Sequence, residues 1–346
     1  MKKVNTIIVG MGIAGICYAE ILHQNKKSFY IIDNNQKGSS KIAAGILNPT
    51  VLKRYNMAWK GKEFYENAIK FYRNIENKYE KKIIYKHNIL KVFSSISDQN
   101  NWATASNKIQ LSEFLESKIQ TKKIKGLITE YGYGLVKKCA RISTDNLINA
   151  FKNNLKDKYI KQDFDYNKLF YDNKKVIYKN IIAENILFCE GYSVVNNPFF
   201  KNLPVKGSKG EFLIVKIPNI NLKKIIKRSS IFVMPMKDQI YWVGASYDNS
   251  DKNKIPTQRK KEWLIEKLES IITEPFKIVE HNANIRPTTI DRRPMIGSHS
   301  NFKNIYLLNG LGSRGILFAP TLSAWLYNQI YKSSPIPKEV DLKRFT

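Results

Sequence analysis

The pattern of apolar and polar positions opens with a strand, a turn, a helix and a second strand. Thr6-Ile7-Ile8-Val9 is an apolar run that stops at Gly10. Gly10-Met11-Gly12-Ile13-Ala14-Gly15 follows, then helical spacing to Gln24, a second run Phe29-Tyr30-Ile31-Ile32, and an acid at Asp33. Short continuous apolar runs closed by turn residues read as strands covered on both faces, as in a parallel sheet.

Further along, Trp59, Phe64, Ala68, Phe71 and Ile75 recur near helical spacing and predict one long helix over Met57 to Tyr79, its aromatic stripe facing a core. Lys82–Tyr85 and Ile89–Phe93 read as strands, the polar region up to Thr121 as helical, and Leu127–Val136 as strand and turn. Thr144 is placed to cap a helix that runs through Leu155. Asp157–Tyr178 alternates charged and aromatic residues in short runs, a meander that ends in the strand Lys175–Tyr178. Ile186–Cys189 is again continuous and apolar and ends at Glu190-Gly191, which predicts a second parallel strand reaching a ligand crevice. From Glu211 the character changes: Phe212–Val215, Ile231–Met234 and Ile240–Ala245 are strands separated by polar turns, the look of an antiparallel sheet. Gln258–Ile272 is an amphipathic helix and Phe276–Val279 another strand. The opening style then returns, with a strand over Asn304–Asn309, a glycine turn over Gly310–Gly315, and a helix from Ile316 to Tyr331. Lys332–Thr346 reads as a tail.

These elements predict an α/β fold with an α+β part. A Rossmann-like, cofactor-binding domain (residues 1–50, 141–205 and 286–346) is expected to interleave with an antiparallel-sheet substrate domain (51–140 and 206–285).

The opening unit also carries chemistry. Gly10 allows a tight turn, Gly12 lets the backbone approach a pyrophosphate, and Gly15 lets the helix pack close on the sheet. The helix N-terminus offers N–H groups to phosphate, and Asp33 can accept hydrogen bonds from ribose hydroxyls. The strand before, the helix after and the acid beyond are the contexts this motif requires, although a plain βαβ unit with small packing residues remains the alternative. The motif itself leaves NAD and FAD open. Glu20, the three glycines and the lack of an Ala-x-Ala site argue against a signal peptide here.

Length leaves room for one large domain or two interlocked ones, and no apolar run approaches a membrane span, so a soluble protein is expected. Cys17, Cys139 and Cys189 are unclustered and sit in apolar settings, which suits buried thiols in a reducing cytoplasm. The four histidines form no metal pattern. The 58 basic against 29 acidic residues give a net charge of +29. Such a field favours polyanions such as RNA or an anionic membrane surface, but an excess made almost wholly of dispersed Lys is also what an AT-rich genome imposes.

Two late stretches add candidates. Arg286, between Ile285 and Pro287, is placed to present a rigid fork to a carboxylate; its structural alternative is an ion pair with Asp291. The Gly310–Gly315 turn puts a second helix N-terminus in reach of developing negative charge, with Arg314 to reinforce it or to touch substrate.

Together these runs resemble the D-amino-acid oxidase family of FAD-dependent oxidoreductases, over nearly the whole chain. The resemblance rests on GMGIAG with Asp33, SSKIAAGILNP, ILFCEG followed by LPVKGSKGEF, NIRPTTIDRRPMIG and GLGSRGILFAP. It is nearest to the glycine oxidase and sarcosine oxidase branch. VGASYD (Val243–Asp248) and the GSRG…AP wording at 312–320 look like the oxidase module of the bifunctional tRNA 5-methylaminomethyl-2-thiouridine biosynthesis proteins.

The resemblance implies FAD on Gly10, Gly12, Ile13, Ala14, Gly15 and Asp33. Ser40, Ala43, Ala44, Gly45 and Leu47 would line pyrophosphate and flavin, Val176 would meet adenine through its backbone, and Gly191 the pyrophosphate side. Gly312, Ser313, Gly315 and Ile316 would cover the flavin edge, with Arg286 holding the substrate carboxylate and Arg314 beside it. FAD should be non-covalent, because the sarcosine oxidase branch attaches it to a late cysteine and the last here is Cys189. The glycine oxidase branch has His and Arg where this chain has Leu311 and Ser313, which counts against plain glycine. The expected activity is therefore oxidation of the C–N bond of an N-substituted glycine, either a small carboxylate-bearing amine or the carboxymethylaminomethyl group of a tRNA wobble uridine. The alternatives are a free glycine, sarcosine or D-amino-acid oxidase, a flavin-bearing RNA-binding protein without turnover, and a peripheral membrane dehydrogenase feeding quinone.

Overall fold

Residues 1–172 and 174–345 are described by the computed structural model. Its eight-stranded sheet is centred on Lys2–Val9, which runs parallel to Phe29–Asp33 on one side and to Ile181–Phe188 on the other. Tyr159–Lys161 extends the sheet beyond Phe29–Asp33, also in parallel, so the predicted meander gives one strand to the sheet's far edge. Ile181–Phe188 forks. Its first half pairs antiparallel with Val176–Tyr178 and its last three residues pair parallel with Ile305–Asn309. The continuous apolar runs are explained by cover on both faces: Ile8, Ile31 and Leu187 enter one core, while Ile7, Ile32 and Phe188 enter another.

The second sheet has seven strands, in the order Lys277–Arg286, Ser208–Lys216, Ile240–Gly244, Ile231–Pro235, Ile225–Arg228, Ile89–Val92 and Tyr133–Val136. It is antiparallel except where Ile225–Arg228 meets Ile89–Val92 in parallel. The strand expected at Phe276–Val279 runs from Lys277 through Arg286, so Arg286 is a strand residue held by its neighbour Ser208–Lys216.

Other boundaries moved for local reasons. The long helix begins at Gly61 rather than Met57, because Asn56–Met57 pairs with Thr50–Val51 and the Ala58 N–H donates to the Pro49 carbonyl at 2.8 Å. Ser143, one residue before the expected cap, is the N-cap of Thr144–Asn153 and accepts from the Asn146 N–H. The tail docks on the sheet, with the Ile296 N–H donating to the Val340 carbonyl at 2.9 Å.

Three helices, Ile13–Gln24, Gly61–Tyr79 and Gly315–Lys332, share one core. Buried Glu20 joins the first two through Lys78 Nζ at 2.8 Å and the Tyr79 hydroxyl at 2.9 Å. The last helix contains Pro320, which cannot supply the N–H that the Ile316 carbonyl would take. The buried Tyr72 hydroxyl donates to that carbonyl instead, at 2.9 Å. Tyr72→Phe should therefore leave a buried acceptor unmet and cost about 1–3 kcal/mol, read as a lower denaturation midpoint at unchanged m-value.

Candidate active site

A cavity of about 1760 Å³ is walled by both sheets and the loops between them. A pocket for one small ligand is about 300–1,000 Å³, so there is room here for a cofactor and a substrate together. Of the residues singled out in the sequence, Gly10, Gly12, Ile13, Ala14, Asp33, Ser40, Ala43, Ala44, Gly45, Gly191, Arg286, Gly312, Ser313, Arg314, Gly315 and Ile316 line it.

Three do not. Gly15 faces back into the fold, where an added Cβ would lie 2.0 Å from the Gly10 carbonyl oxygen, which is the close helix–strand approach its position suggested. Leu47 is fully buried in the helical core; strand alternation turns Ile46, not Leu47, toward the cavity. Val176 is fully buried in an antiparallel pair with Ala183, away from the cavity wall.

The opening turn is built by backbone constraints. Gly10 has φ +100° and packs so close to Cys189 that a Cβ would sit 2.6 Å from its carbonyl oxygen. At the end of the neighbouring strand, the Asp33 carboxylate accepts from the Met11 N–H at 2.9 Å and from the Asn35 N–H at 2.7 Å. The Ile13 N–H, in the first turn of the helix, donates to Ser40 Oγ at 3.0 Å. Across the cavity, Gly191 (φ +58°) and Gly312 (φ +55°) present bare backbone to open space.

Arg286 is carried to its place from two sides. Upstream, Asn284 Nδ2 donates to the Lys37 carbonyl at 2.8 Å and Ser39 Oγ to the Ile285 carbonyl at 2.7 Å, tying the strand to the loop after Asp33. Downstream, the Gly312 N–H donates to the Pro287 carbonyl at 2.9 Å, tying the chain to the second glycine turn. The guanidinium stacks 4.4 Å from the centre of the Tyr247 ring, donates to the Ser246 carbonyl at 3.2 Å, and fills the space that a side chain at Gly210 would need. Burial pulls its pKa down from the ordinary value. Among the described residues no carboxylate pairs with it. Asp291, the alternative partner, is bound to Arg344 at 2.9 Å.

Arg314 is occupied differently. It precedes the helix Gly315–Lys332 and donates to the carbonyls of Asn48 at 3.0 Å and Thr50 at 3.4 Å, pinning the Asn48–Thr50 loop to the helix start. Burial pulls its pKa down as well. It positions the wall more than it offers a free cation.

Some wall residues were not singled out in the sequence. Tyr247, 60% exposed and stacked on Arg286, sits in the VGASYD run, which was noted as wording without a role. The stacked pair Phe212–Trp242 (5.1 Å) occupies strand positions that read only as sheet, and Lys227 lies on Ile225–Arg228, a strand the sequence pattern did not predict. Two buried wall atoms, Ser208 Oγ and Trp242 Nε1, have no hydrogen-bond partner, as expected of groups that meet a ligand. Among the described residues no cluster suits a metal, and no helix is long and apolar enough to cross a membrane.

A glycine turn at a helix N-terminus, an acid closing the next strand and a long cleft beside a second, largely antiparallel sheet are the features of a dinucleotide-dependent oxidoreductase. The chain belongs to the DAO family of FAD-dependent oxidoreductases, whose sequence profile matches residues 5–329. It is similar to the tRNA 5-methylaminomethyl-2-thiouridine biosynthesis bifunctional protein MnmC of Azoarcus sp. (strain BH72), 24% identical over 179 residues, which cover 45% of this chain and 28% of that one. The match spans 28% and 42% of the length of two such curated relatives, less than half of each. Among solved structures, glycine oxidase from Geobacillus kaustophilus has a TM-score of 0.81 at 14% identity, covering 100% of this chain and 98% of that one. Iminodiacetate oxidase from Chelativorans sp. BNC1 has a TM-score of 0.79 at 17% identity, covering 99% and 98%.

FAD is the cofactor of this family, and the wall fits it: bare backbone at Gly12, Gly191 and Gly312, an acid at Asp33, and unpartnered polar atoms at Ser208 and Trp242. Asp33→Ala removes an acceptor from the Met11 turn and, as we propose, from the cofactor. It should raise the Kd for FAD on the order of 10–100-fold, read by recovery of free-flavin fluorescence, with the fold retained by circular dichroism.

Proposed function

We propose that the protein oxidises the C–N bond of an N-substituted glycine, and that Arg286 holds the substrate carboxylate. The observation that carries this reading is a guanidinium on the cavity wall with an aromatic ring behind it and, among the described residues, no carboxylate paired with it. Arg presents a planar fork that matches a carboxylate through two parallel hydrogen bonds, and the Ser246 carbonyl and Tyr247 ring leave that fork pointed one way. Gly210 leaves on its strand the space that the Arg286 guanidinium occupies.

FAD, when bound, supplies the acceptor for the hydride leaving the substrate α-carbon. The amine nitrogen gives up one proton, and the resulting imine takes up water to release an amine and glyoxylate. The chain's part is to fix the α-carbon, to exclude bulk water with the Asn48–Thr50 loop held by Arg314, and to present the helix start at Gly315 to negative charge.

An N-substituted glycine is preferred to glycine because Leu311 is apolar and buried in the turn and Ser313 is exposed, so neither supplies a charge there. The finer reading is a carboxymethylaminomethyl group on a tRNA wobble uridine. Supporting it are the likeness to a protein named for that biosynthesis, the net charge of +29, and a cavity wall with ten basic side chains against three acidic ones. Anaerobic mixing with FAD-loaded protein tests it. Bleaching of the flavin by modified tRNA and not by N-methylglycine supports the tRNA reading, bleaching by the small amine alone supports a free-amine oxidase, and no bleaching by either sinks both.

Arg286→Leu should raise KM for a carboxylate substrate by roughly 30–1,000-fold, equivalent to about 2–4 kcal/mol, without releasing flavin. An unchanged KM would refute the role.

A further inference from the structure

We propose that the cavity holds a second anion site, built on Lys227 with Lys53, that takes a phosphate of the substrate. This rests on the carboxylate reading of Arg286 and deepens it, because it specifies what the glycine nitrogen is attached to.

Two strands of the antiparallel sheet, its edge strand Lys277–Arg286 and the interior strand Ile225–Arg228, set the geometry. Cross-strand register aligns Phe212, Gly244, Phe232 and Lys227 in one row, and all four line the cavity. Residues opposite one another across a sheet share a face, so Lys227 faces the same space as the two phenylalanines. The strand of Lys227 lies four steps from that of Arg286. At the ordinary strand spacing that is roughly 19 Å. A free amino acid on Arg286 would fall well short of Lys227.

Lys227 is 5% exposed, and no carboxylate pairs with it among the described residues. Its ammonium donates to the carbonyls of Ser229 at 2.7 Å and Ile231 at 3.3 Å and lies 4.5 Å from the centre of the Phe232 ring. Those two bonds leave a third N–H of the three. The surrounding charges do not neutralise it. On the adjacent strand Lys91 is taken by Asp98 at 2.5 Å, and from the loop side Lys53 adds a further positive charge. Burial, Lys91 and Lys53 together pull the Lys227 pKa to about 7, with Asp98 opposing. A buried cation beside two others and without its own anion is a costly arrangement that a bound anion relieves.

Between the two cations lie flat apolar surfaces, Phe232 and the Phe212–Trp242 stack, with the unpartnered Trp242 Nε1 among them. Aromatic faces take nucleobases irrespective of sequence, and a cation beyond them takes the phosphate. The ligand chemistry this assigns is an N-substituted glycine carried on a nucleotide: carboxylate on Arg286, base over the aromatic floor, phosphate on Lys227.

Sulfate is the probe, because it does not titrate in the relevant range. FAD-loaded protein is used so that the cofactor's own phosphate positions are filled, and sulfate is titrated by calorimetry against a matched chloride background. Wild type should bind sulfate saturably, more weakly at pH 9 than at pH 6 because Lys227 has lost its proton. Lys227→Met should weaken binding at least tenfold, and Arg286→Leu should leave it. Equal affinity in wild type and Lys227→Met, or no saturable binding in wild type, overturns the site. If Lys227→Met does not fold, Lys53→Ala decides: weakening of about threefold or more supports the site, and an unchanged affinity overturns it. The titration involves no turnover, so sulfate binding without flavin bleaching by any amine would sink the oxidase reading alone, whereas bleaching without sulfate binding would sink only the phosphate site.

Discussion

The site depends on keeping a guanidinium on a partly dry wall where, among the described residues, no carboxylate pairs with it. Removing a cation from water costs several kcal/mol unless an anion meets it, and among the described residues the Arg286 guanidinium meets a carbonyl, the face of Tyr247 and the backbone of Gly210. The rest of the architecture holds that arrangement in place. Asn284 and Ser39 fasten the strand to the loop beyond Asp33, and the Gly312 N–H fastens its continuation to the second glycine turn. In the function we propose, the loop and turn that face the cofactor therefore also hold the strand that meets the substrate's carboxylate.

The helix at the far end is held by a similar constraint. Pro320 breaks the hydrogen-bond ladder one turn inside the helix whose start faces the cavity, and Tyr72 repairs it from Gly61–Tyr79. With Arg314 bonded to the Asn48–Thr50 loop, the helix N-terminus is fixed from both flanks. A preorganised donor is worth more than a mobile one because it needs no reordering as charge develops.

Much of this was legible in the chain, and for identifiable reasons. The strand–turn–helix at each end could be read because buried parallel strands leave continuous apolar runs and glycine turns punctuate them, as in Thr6–Gly15 and Asn304–Gly315. Arg286 could be read because Ile285 and Pro287 fix its backbone. What escaped depended on register or on contacts distant in sequence. Leu47 and Ile46 differ by one position, and only the pairing with Ala140–Ile142 decides which of them meets the cavity. Tyr247 and Lys227 gain meaning only when four strands bring them to one wall. Asp291 was a sensible partner for Arg286 by spacing, yet the fold gives it to Arg344, 53 residues away. The competition between Ser143 and Thr144 for the helix cap is of the same kind, since both residue types cap well and only backbone geometry chooses.

The most direct measurement is a crystal structure of the FAD-loaded protein soaked with glycolate, a carboxylate of the substrate's size that cannot be oxidised at nitrogen. The carboxylate should lie bidentate on Arg286, with Tyr247 behind the guanidinium and the α-carbon facing the flavin. Glycolate bound elsewhere in the cavity, with the Arg286 fork left to water or turned onto a protein carboxylate, would contradict it.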